Sequence, residues 1–532
     1  MVTNESSPSD GSVRSAEVIA ALCLATDLGM GFPFGHGLHS TLIATRLAER
    51  LGVDPVTASQ TYYACLLSHS GCTTDAHVTA EVFGSSLTTH FNPVMYGSRR
   101  EVLSGLLRAL PPPESAGAVR ALQTARRLPR MARTARPQFT AMCEVAQILA
   151  DGVGLSPPVQ GLLAHLFGRW DGKDPLGRAK GDEIPLPMRI VHVAVDAAFQ
   201  RLLGGEENAV RVVSERAGHS FDPEVAACLK GNAGEILALD PEASAWDEVL
   251  ACEPNPRLTL EGEAINRALT AMGSFSDLIS PYLAGHSIGV AELAAAAAER
   301  CRLDAAGKVA VWRAALIHDL GRVAIGARAL QKPGPLTADE WEHVRLHPYH
   351  TERVLSPSPF LSALAQVAGA HHERIDGSGY HRGSAGAGLP LPARLLAAAD
   401  AYHAMTEPRP HREPRAPEQA ADELAREANG GRFDPDVVMA VVEAAGQRAP
   451  RIERPAGLTQ REAEVVGMLA RGLQTKQVAR ALGISIKTAD RHVQNSYHKI
   501  GVSTRAAATL FAMEHGLIAW GELPIARPEA GS

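Results

Sequence analysis

One stretch of this chain places ligand-type side chains at intervals that few folds accommodate. His286, His318, Asp319, His347, His371, His372 and Asp400 follow one another at spacings of 32, 1, 28, 24, 1 and 28 residues. Each sits beside helix-like sequence, the layout of a bundle whose successive helices point one ligand each into a shared interior. The pair His318-Asp319 closes the apolar run Ala315-Leu316-Ile317. Burying two such polar groups unpaired costs on the order of a few kcal/mol. A shared cation removes that penalty, because imidazole nitrogen and carboxylate oxygen both give lone pairs to one ion. Imidazole-rich ligation favours iron, manganese or zinc over magnesium.

Further motifs surround this set. His318-Asp319-Leu320-Gly321 is followed by His371-His372-Glu373-Arg374-Ile375-Asp376-Gly377-Ser378-Gly379-Tyr380. With Ser280-Pro281-Tyr282 upstream and Arg432-Phe433-Asp434-Pro435 downstream, residues 270–447 resemble the HD-GYP branch of the HD phosphohydrolases. The resemblance implies two divalent metal ions, iron or manganese. His286, His318, Asp319 and Asp400 would hold one; Asp319, His347, His371 and His372 would hold the other, with Asp319 bridging. Two cations roughly 4 Å apart lower the pKa of a shared water and neutralise charge developing on phosphoryl oxygens. The implied reaction is phosphodiester hydrolysis of cyclic di-GMP or a related nucleotide. Asp319 and Arg322 take the catalytic roles, and Asp376, Gly377, Gly379, Tyr380 and His381 form the substrate loop.

Two positions depart from the family pattern. Arg322 stands where a lysine is usual, keeping the charge but not the compact ammonium. His381 replaces the proline of the Gly-Tyr-Pro signature, which frees a backbone N–H and the φ angle. Metal binding is therefore the firmer expectation, and a sensor domain that binds nucleotide or metal without catalysis is the alternative to an enzyme.

The preceding residues echo this stretch. Gly35-His36 precedes Ala48-Glu49-Arg50-Leu51-Gly52-Val53 at the spacing by which Gly285-His286 precedes Ala298-Glu299-Arg300-Cys301-Arg302-Leu303. Leu66-Leu67-Ser68-His69-Ser70 parallels Leu316-Ile317-His318-Asp319. Trp170-Asp171-Gly172 and Pro185-Leu186-Pro187 match Ile375-Asp376-Gly377 and Pro390-Leu391-Pro392 at an offset of 205. Phe221-Asp222-Pro223 matches Phe433-Asp434-Pro435, so a duplicated fold is expected. Its chemistry has changed: Ser70 replaces the bridging aspartate, and Leu166-Phe167 replaces the double histidine. The favoured reading of this copy is a scaffold, a dimer surface or a sensor pocket; a single ion held by the remaining His36, His69 and Asp196 is the alternative. Pro111-Pro112-Pro113 and the arginine-rich run to Arg136 read as a linker or a solvated helix.

After Arg448-Ala449-Pro450, the pattern changes to compact helices. Thr459 and Glu462 form a capping box, Gly472 and Gly483 end helices, and Ser485 caps a helix to Lys499. Ala489, Val493, Tyr497 and Ile500 share one stripe of that helix, and Lys487, Arg491, Gln494, Asn495 and His498 the opposite one. This helix-turn-helix resembles the LuxR-type DNA-binding domain through Leu458-Thr459, Arg461-Glu462, Val478-Ala479, Lys487-Thr488 and Val502-Ser503-Thr504-Arg505. Lys476, Lys487, Thr488, Arg491, His492, Gln494 and Asn495 are the implied DNA contacts. Asp490 stands where the family often has lysine. Residues 457–520 hold eight Lys/Arg against four Asp/Glu, a net of +4 in a chain of −6, which suits phosphate attraction.

The expected architecture is all-α: two HD-type helical bundles, the first degenerate, and a C-terminal four-helix LuxR-type domain. The segments are a disordered tail 1–14, the degenerate domain 15–250, the metal domain 251–447, a linker 448–456, the DNA-binding domain 457–520 and a tail 521–532. Seven scattered cysteines offer no disulfide framework, and no run of about 20 apolar residues spans a membrane. A cytoplasmic homodimer binding double-stranded DNA and a nucleotide is expected, with occupancy of the metal domain altering exposure of the recognition helix.

Overall fold

The computed structural model describes residues 11–72, 96–97, 101, 117–240, 243–448, 455–515 and 517–518. Residues 1–10, Pro111-Pro112-Pro113, most of the linker and the 521–532 tail lie outside the described residues. The principal helices in chain order are α1 (Ser15–Met30), α2 (His36–Leu51), α3 (Pro55–Leu66), α4 (Gly117–Gly152), α5 (Leu186–Arg216), α6 (Glu263–Asp277), α7 (His286–Arg300), α8 (Ala305–Leu316) and α9 (His347–Leu355). They continue as α10 (Pro359–Ala368), α11 (Leu391–Thr406), α12 (Pro417–Asn429), α13 (Pro435–Ala444), α14 (Gln460–Ala470), α15 (Thr475–Ala481), α16 (Ile486–Ile500) and α17 (Arg505–Glu514). The protein is all-α apart from a two-stranded antiparallel ribbon, β1 (Ser12–Arg14) with β2 (Thr259–Glu261), among the described residues. Residues 12–14, expected in a disordered tail, are ordered because β2 supplies their backbone partners. The arginine-rich run lies in α4, so it is helical, and its described side chains, Arg126 and Arg136, are exposed.

The chain divides into two compact units, residues 1–287 with 319–365, and residues 288–318 with 366–532. In the first unit α1 is the central element. Every residue from Ser15 to Asp27 is buried, so α1 has no solvent face and reads as continuous apolar sequence rather than an amphipathic stripe. It packs on α2 and α3, on α9, and on the short 3₁₀ turn Leu320–Ala324 that follows Asp319. A buried hydrogen bond from Ser358 Oγ to Glu17 Oε2 (2.5 Å) fixes its first turn, and Gly31 ends it in the left-handed region.

In the second unit α11 packs on α8, α12 and α13. Arg394 near its start donates to Asp434 (3.1 Å), and the same carboxylate caps α13 by accepting from Asp436 N–H (2.9 Å). The four helices α14–α17 close around Val465, Leu469, Val478 and Val493 and around Val466, Ala470, Ala512 and Ile518. The expected caps are present: Thr459 and Glu462 bond reciprocally, Ser485 accepts from Thr488 N–H (3.0 Å), and Gly501 terminates α16.

Burial keeps three imidazoles of the first unit neutral. His36 is pushed down to about 3, and His69 and His192 to about 4. Unfolded, each takes up a proton near pH 6.5. Because the folded values are depressed, this contribution is complete above pH 6.5 and is lost as pH falls towards 4, a tenfold change in proton affinity being worth about 1.4 kcal/mol. The urea midpoint of the full chain should therefore drop steadily between pH 6.5 and 5. A midpoint constant over that window contradicts it.

Candidate metal centre and nucleic-acid interface

In the first unit the centre is built on Asp319, 1% exposed. Its two oxygens face different partners. Oδ2 lies 3.5 Å from His286 Nε2, and Oδ1 lies 3.2 Å from His347 Nε2. The Arg322 guanidinium, one turn on, lies 2.7 Å from Oδ2. His286 opens α7 and His347 opens α9, so both imidazoles enter from helix N-termini. In the second unit Asp400, on α11, repeats the pattern: Oδ1 is 3.8 Å from His318 Nε2 and Oδ2 is 3.8 Å from His372 Nδ1. The ring centroids of His318 and His371 are 4.8 Å apart and those of His371 and His372 are 4.2 Å apart. His318 and Asp319 are consecutive, so one peptide bond links the two sets.

Three of these histidines are held in one tautomer by carbonyls of the helix that precedes each of them. The Nδ1 atoms of His318, His347 and His371 each lie 2.6 Å from the carbonyl three residues before, those of Ala315, Val344 and Ala368. A carbonyl only accepts, so each Nδ1 carries a proton, and in the neutral ring Nε2 then carries the lone pair. That is the arrangement of an imidazole prepared for a cation, its other nitrogen oriented by a backbone acceptor. Nitrogen lone pairs together with two buried carboxylates make a donor set that fits divalent transition metals.

Local packing explains the placement. A Cβ on Gly321 would fall inside contact distance of His347 O and Thr351 N, so only glycine lets the Asp319 turn lie against α9. Gly321 N–H donates to Thr351 Oγ1 across this contact (2.8 Å). Asp277, at the end of α6, accepts from Ser287 N–H (3.0 Å) and from its hydroxyl (2.8 Å), fixing the first turn of α7 beside His286. Burial raises the Asp277 carboxyl above its ordinary range, with the His286 imidazole acting the other way. Sequence reasoning missed this residue. The signal was present: Asp27 precedes it by 250 residues, the offset of His36 from His286, and accepts from Gly35 and Gly37 N–H (3.1 Å each).

The loop after the double histidine is held by Glu373, 2% exposed, also missed as a functional residue. Its carboxylate accepts from Arg382 N–H and Ser384 N–H, both at 2.8 Å. Gly379 approaches the His372–Arg374 backbone too closely for any Cβ. Tyr380 lies with its ring 4.6 Å from that of His372, and His381 is half-buried. Asp376 is exposed; its carboxylate accepts from Ser378 N–H (2.9 Å) and shapes the turn, with Gly377 at φ +78°.

In the C-terminal helices Ala489 and Val493 are buried, while Lys476, Lys487, Thr488, Arg491, Gln494 and Asn495 are exposed and His492 is half-buried. The outward stripe of α16 therefore carries cationic and amide donors suited to phosphates and base edges. The last described helix, α17, packs beside the Gly386–Gly388 turn, which follows the Tyr380–His381 loop.

Residues 265–437 match the HD domain family, and residues 456–512 match the bacterial regulatory proteins of the luxR family. This chain joins an HD domain to a LuxR-family regulatory domain. It is 28% identical over 401 residues to 3′3′-cGAMP-specific phosphodiesterase 3 of Vibrio cholerae, covering 75% of this chain and 87% of that protein. It is 33% identical over 180 residues to 3′3′-cGAMP-specific phosphodiesterase 1 of the same organism, covering 34% and 42%. A cyclic di-GMP phosphodiesterase of Thermotoga maritima is 39% identical over 132 residues, covering 24% of this chain and 36% of that protein. The last two matches thus span less than half of each relative. The crystal structure of a cyclic GMP-AMP specific phosphodiesterase from V. cholerae superposes with a TM-score of 0.57 at 25% identity, covering 82% of this chain and 98% of that one. Coverage so long reaches well before residue 265. Among the described residues no helix is long and apolar enough to cross a membrane.

Replacing Gly321 by alanine should force the Asp319 turn away from α9. We expect Gly321→Ala to lower the melting temperature and to reduce bound manganese per chain. Unchanged values for both would show that this contact does not set the centre.

Proposed function

We propose that the HD domain hydrolyses a phosphodiester bond of a guanine-containing 3′3′-cyclic dinucleotide, and that the LuxR-family domain binds duplex DNA as part of a homodimer. The reading rests on Asp319, whose two oxygens address two different histidines. In this proposal His286, His318, Asp319 and Asp400 hold one divalent cation, and Asp319, His347, His371 and His372 the other, iron or manganese in each case. When bound, such a pair lowers the pKa of a shared water and offsets charge on the phosphoryl oxygens.

The protein's own groups have separate parts. The carbonyls of Ala315, Val344 and Ala368 keep their histidines in the donor tautomer throughout. Arg322, tethered by Asp319, supplies a permanent positive charge that can donate to a phosphoryl oxygen; unlike lysine it cannot deliver a proton. Glu373 keeps the Tyr380–His381 loop closed on the double histidine. The relative aligned along most of this chain is named for 3′3′-cGAMP, which makes that nucleotide the first substrate to test, ahead of cyclic di-GMP.

With manganese, the purified chain should linearise one of these nucleotides, and Asp319→Ala should reduce the rate at least about a hundredfold, the loss of a metal-assisted step being worth several kcal/mol. Tight binding without turnover would instead establish the sensor reading. On DNA, Lys487→Ala should weaken binding and lower the slope of log affinity against log salt by about one. The same titration with nucleotide and manganese present tests the coupling suggested by the packing of α17 beside Gly386–Gly388, which an unchanged affinity rules out.

A further inference from the structure

The first copy has lost its bridging carboxylate, yet two imidazoles of the old pattern are still inside it. His36 and His69 are 4% and 5% exposed, and their ring centroids lie 6.5 Å apart at 40°. Each Nε2 is buried and has no hydrogen-bond partner among the described residues. Leaving such a nitrogen unsatisfied costs about 1–3 kcal/mol, so retaining two of them side by side calls for an occupant. Ser68 Oγ lies 3.3 Å from His69 Nδ1, which leaves Nε2 as the available atom of that ring.

We propose that His36 and His69 hold one transition-metal ion, of the zinc or copper kind, in a site separate from the centre around Asp319. An ion about 2.1 Å from each Nε2 lies about 3.2 Å from each ring centroid, so the observed separation of 6.5 Å is spanned by a near-linear N–metal–N arrangement, and a tetrahedral ion draws the two rings closer together. The ligand chemistry differs from that of the second copy. Asp196, the carboxylate expected to join the pair, is taken by Arg216, whose Nη1 donates to both of its oxygens at 2.9 and 2.7 Å in a buried ion pair. A guanidinium thus neutralises the acid that a metal would otherwise need. Two neutral imidazoles without a carboxylate favour zinc or copper and disfavour magnesium and manganese. Among the described residues no third ligating side chain joins them, so water or a small anion completes the sphere. Phe32, stacked on His36 at 4.3 Å and 5.5 Å from His69, and Phe199 beyond it form an apolar wall.

The site also has a mechanical link to the catalytic centre of the first unit. Phe34, two residues before His36, lies under the guanidinium of Arg353 at 4.2 Å, and Arg353 belongs to α9, the helix that begins with His347. A shift of the His36 turn on binding therefore reaches the helix that faces Asp319.

The test is an ion count on the full chain, stripped with chelator, reloaded with zinc and measured by mass spectrometry of the metal. His36→Gln/His69→Gln should bind one ion fewer per chain than wild type, with far-UV circular dichroism confirming the fold. Asp319→Ala/His371→Ala removes ligands of the other centre, and adding His36→Gln/His69→Gln to that background should lower the zinc count by one. Cobalt in the Asp319→Ala/His371→Ala chain should give visible d–d absorption from an imidazole-bound ion that falls when His36→Gln/His69→Gln is added. Equal counts for wild type and His36→Gln/His69→Gln, or a metal-free Asp319→Ala/His371→Ala chain, overturn the site. Ions lost only on changing Asp319 and His371 speak to the proposed hydrolytic centre alone and likewise overturn a site at His36 and His69.

Discussion

A carboxylate buried between imidazoles is the constraint on which the rest of the structure turns. Asp319 is almost fully enclosed, and a lone ionised carboxylate there would be prohibitive. Its oxygens are addressed by His286, His347 and Arg322, and those three arrive from three separate pieces of backbone. The surrounding packing is subordinate to this convergence: Gly321 is small so that α9 can approach, Thr351 offers its hydroxyl to the turn, and Asp277 holds the first turn of α7. None of these three is among the proposed metal ligands, yet each fixes backbone beside one of them. The helical carbonyls at positions i−3 complete the arrangement without any dedicated side chain.

Much of this was legible in the residues themselves. Histidine and aspartate are rarely placed at the end of an apolar helix without a reason, so their periodic return through 286–400 marked the site before any coordinates. The α16 stripe was equally clear, because Ala489 and Val493 alternate with Lys487 and Arg491 at helical spacing. What pattern reading could not supply was tertiary. Asp277 looks like any helix-terminal acid until its 250-residue partner Asp27 is seen making the same backbone contacts. Glu373 was read as one letter of a motif, whereas its role is to gather two distant amides. The burial of α1 on the Asp319 turn joins residues some 300 positions apart, and no local periodicity reports such a contact.

The segments that echo one another in sequence present different groups in their interiors. Where the second keeps a carboxylate facing histidines, the first pairs Asp196 with Arg216 and surrounds His36 and His69 with Phe32 and Phe199. The shared Asp27 and Asp277 caps outlast the ligands because they shape the helix start rather than the reaction.

The burial of α1 also bears on how such a chain can evolve. This helix, the first among the described residues, serves as an inner wall for the turn that bears Asp319, some three hundred residues later. Recombination that swapped the early portion for an unrelated input module would strip that wall and bare an oily trough. Residues 15–30 and the turn after Asp319 are therefore structurally interdependent, and neither can be exchanged without the other.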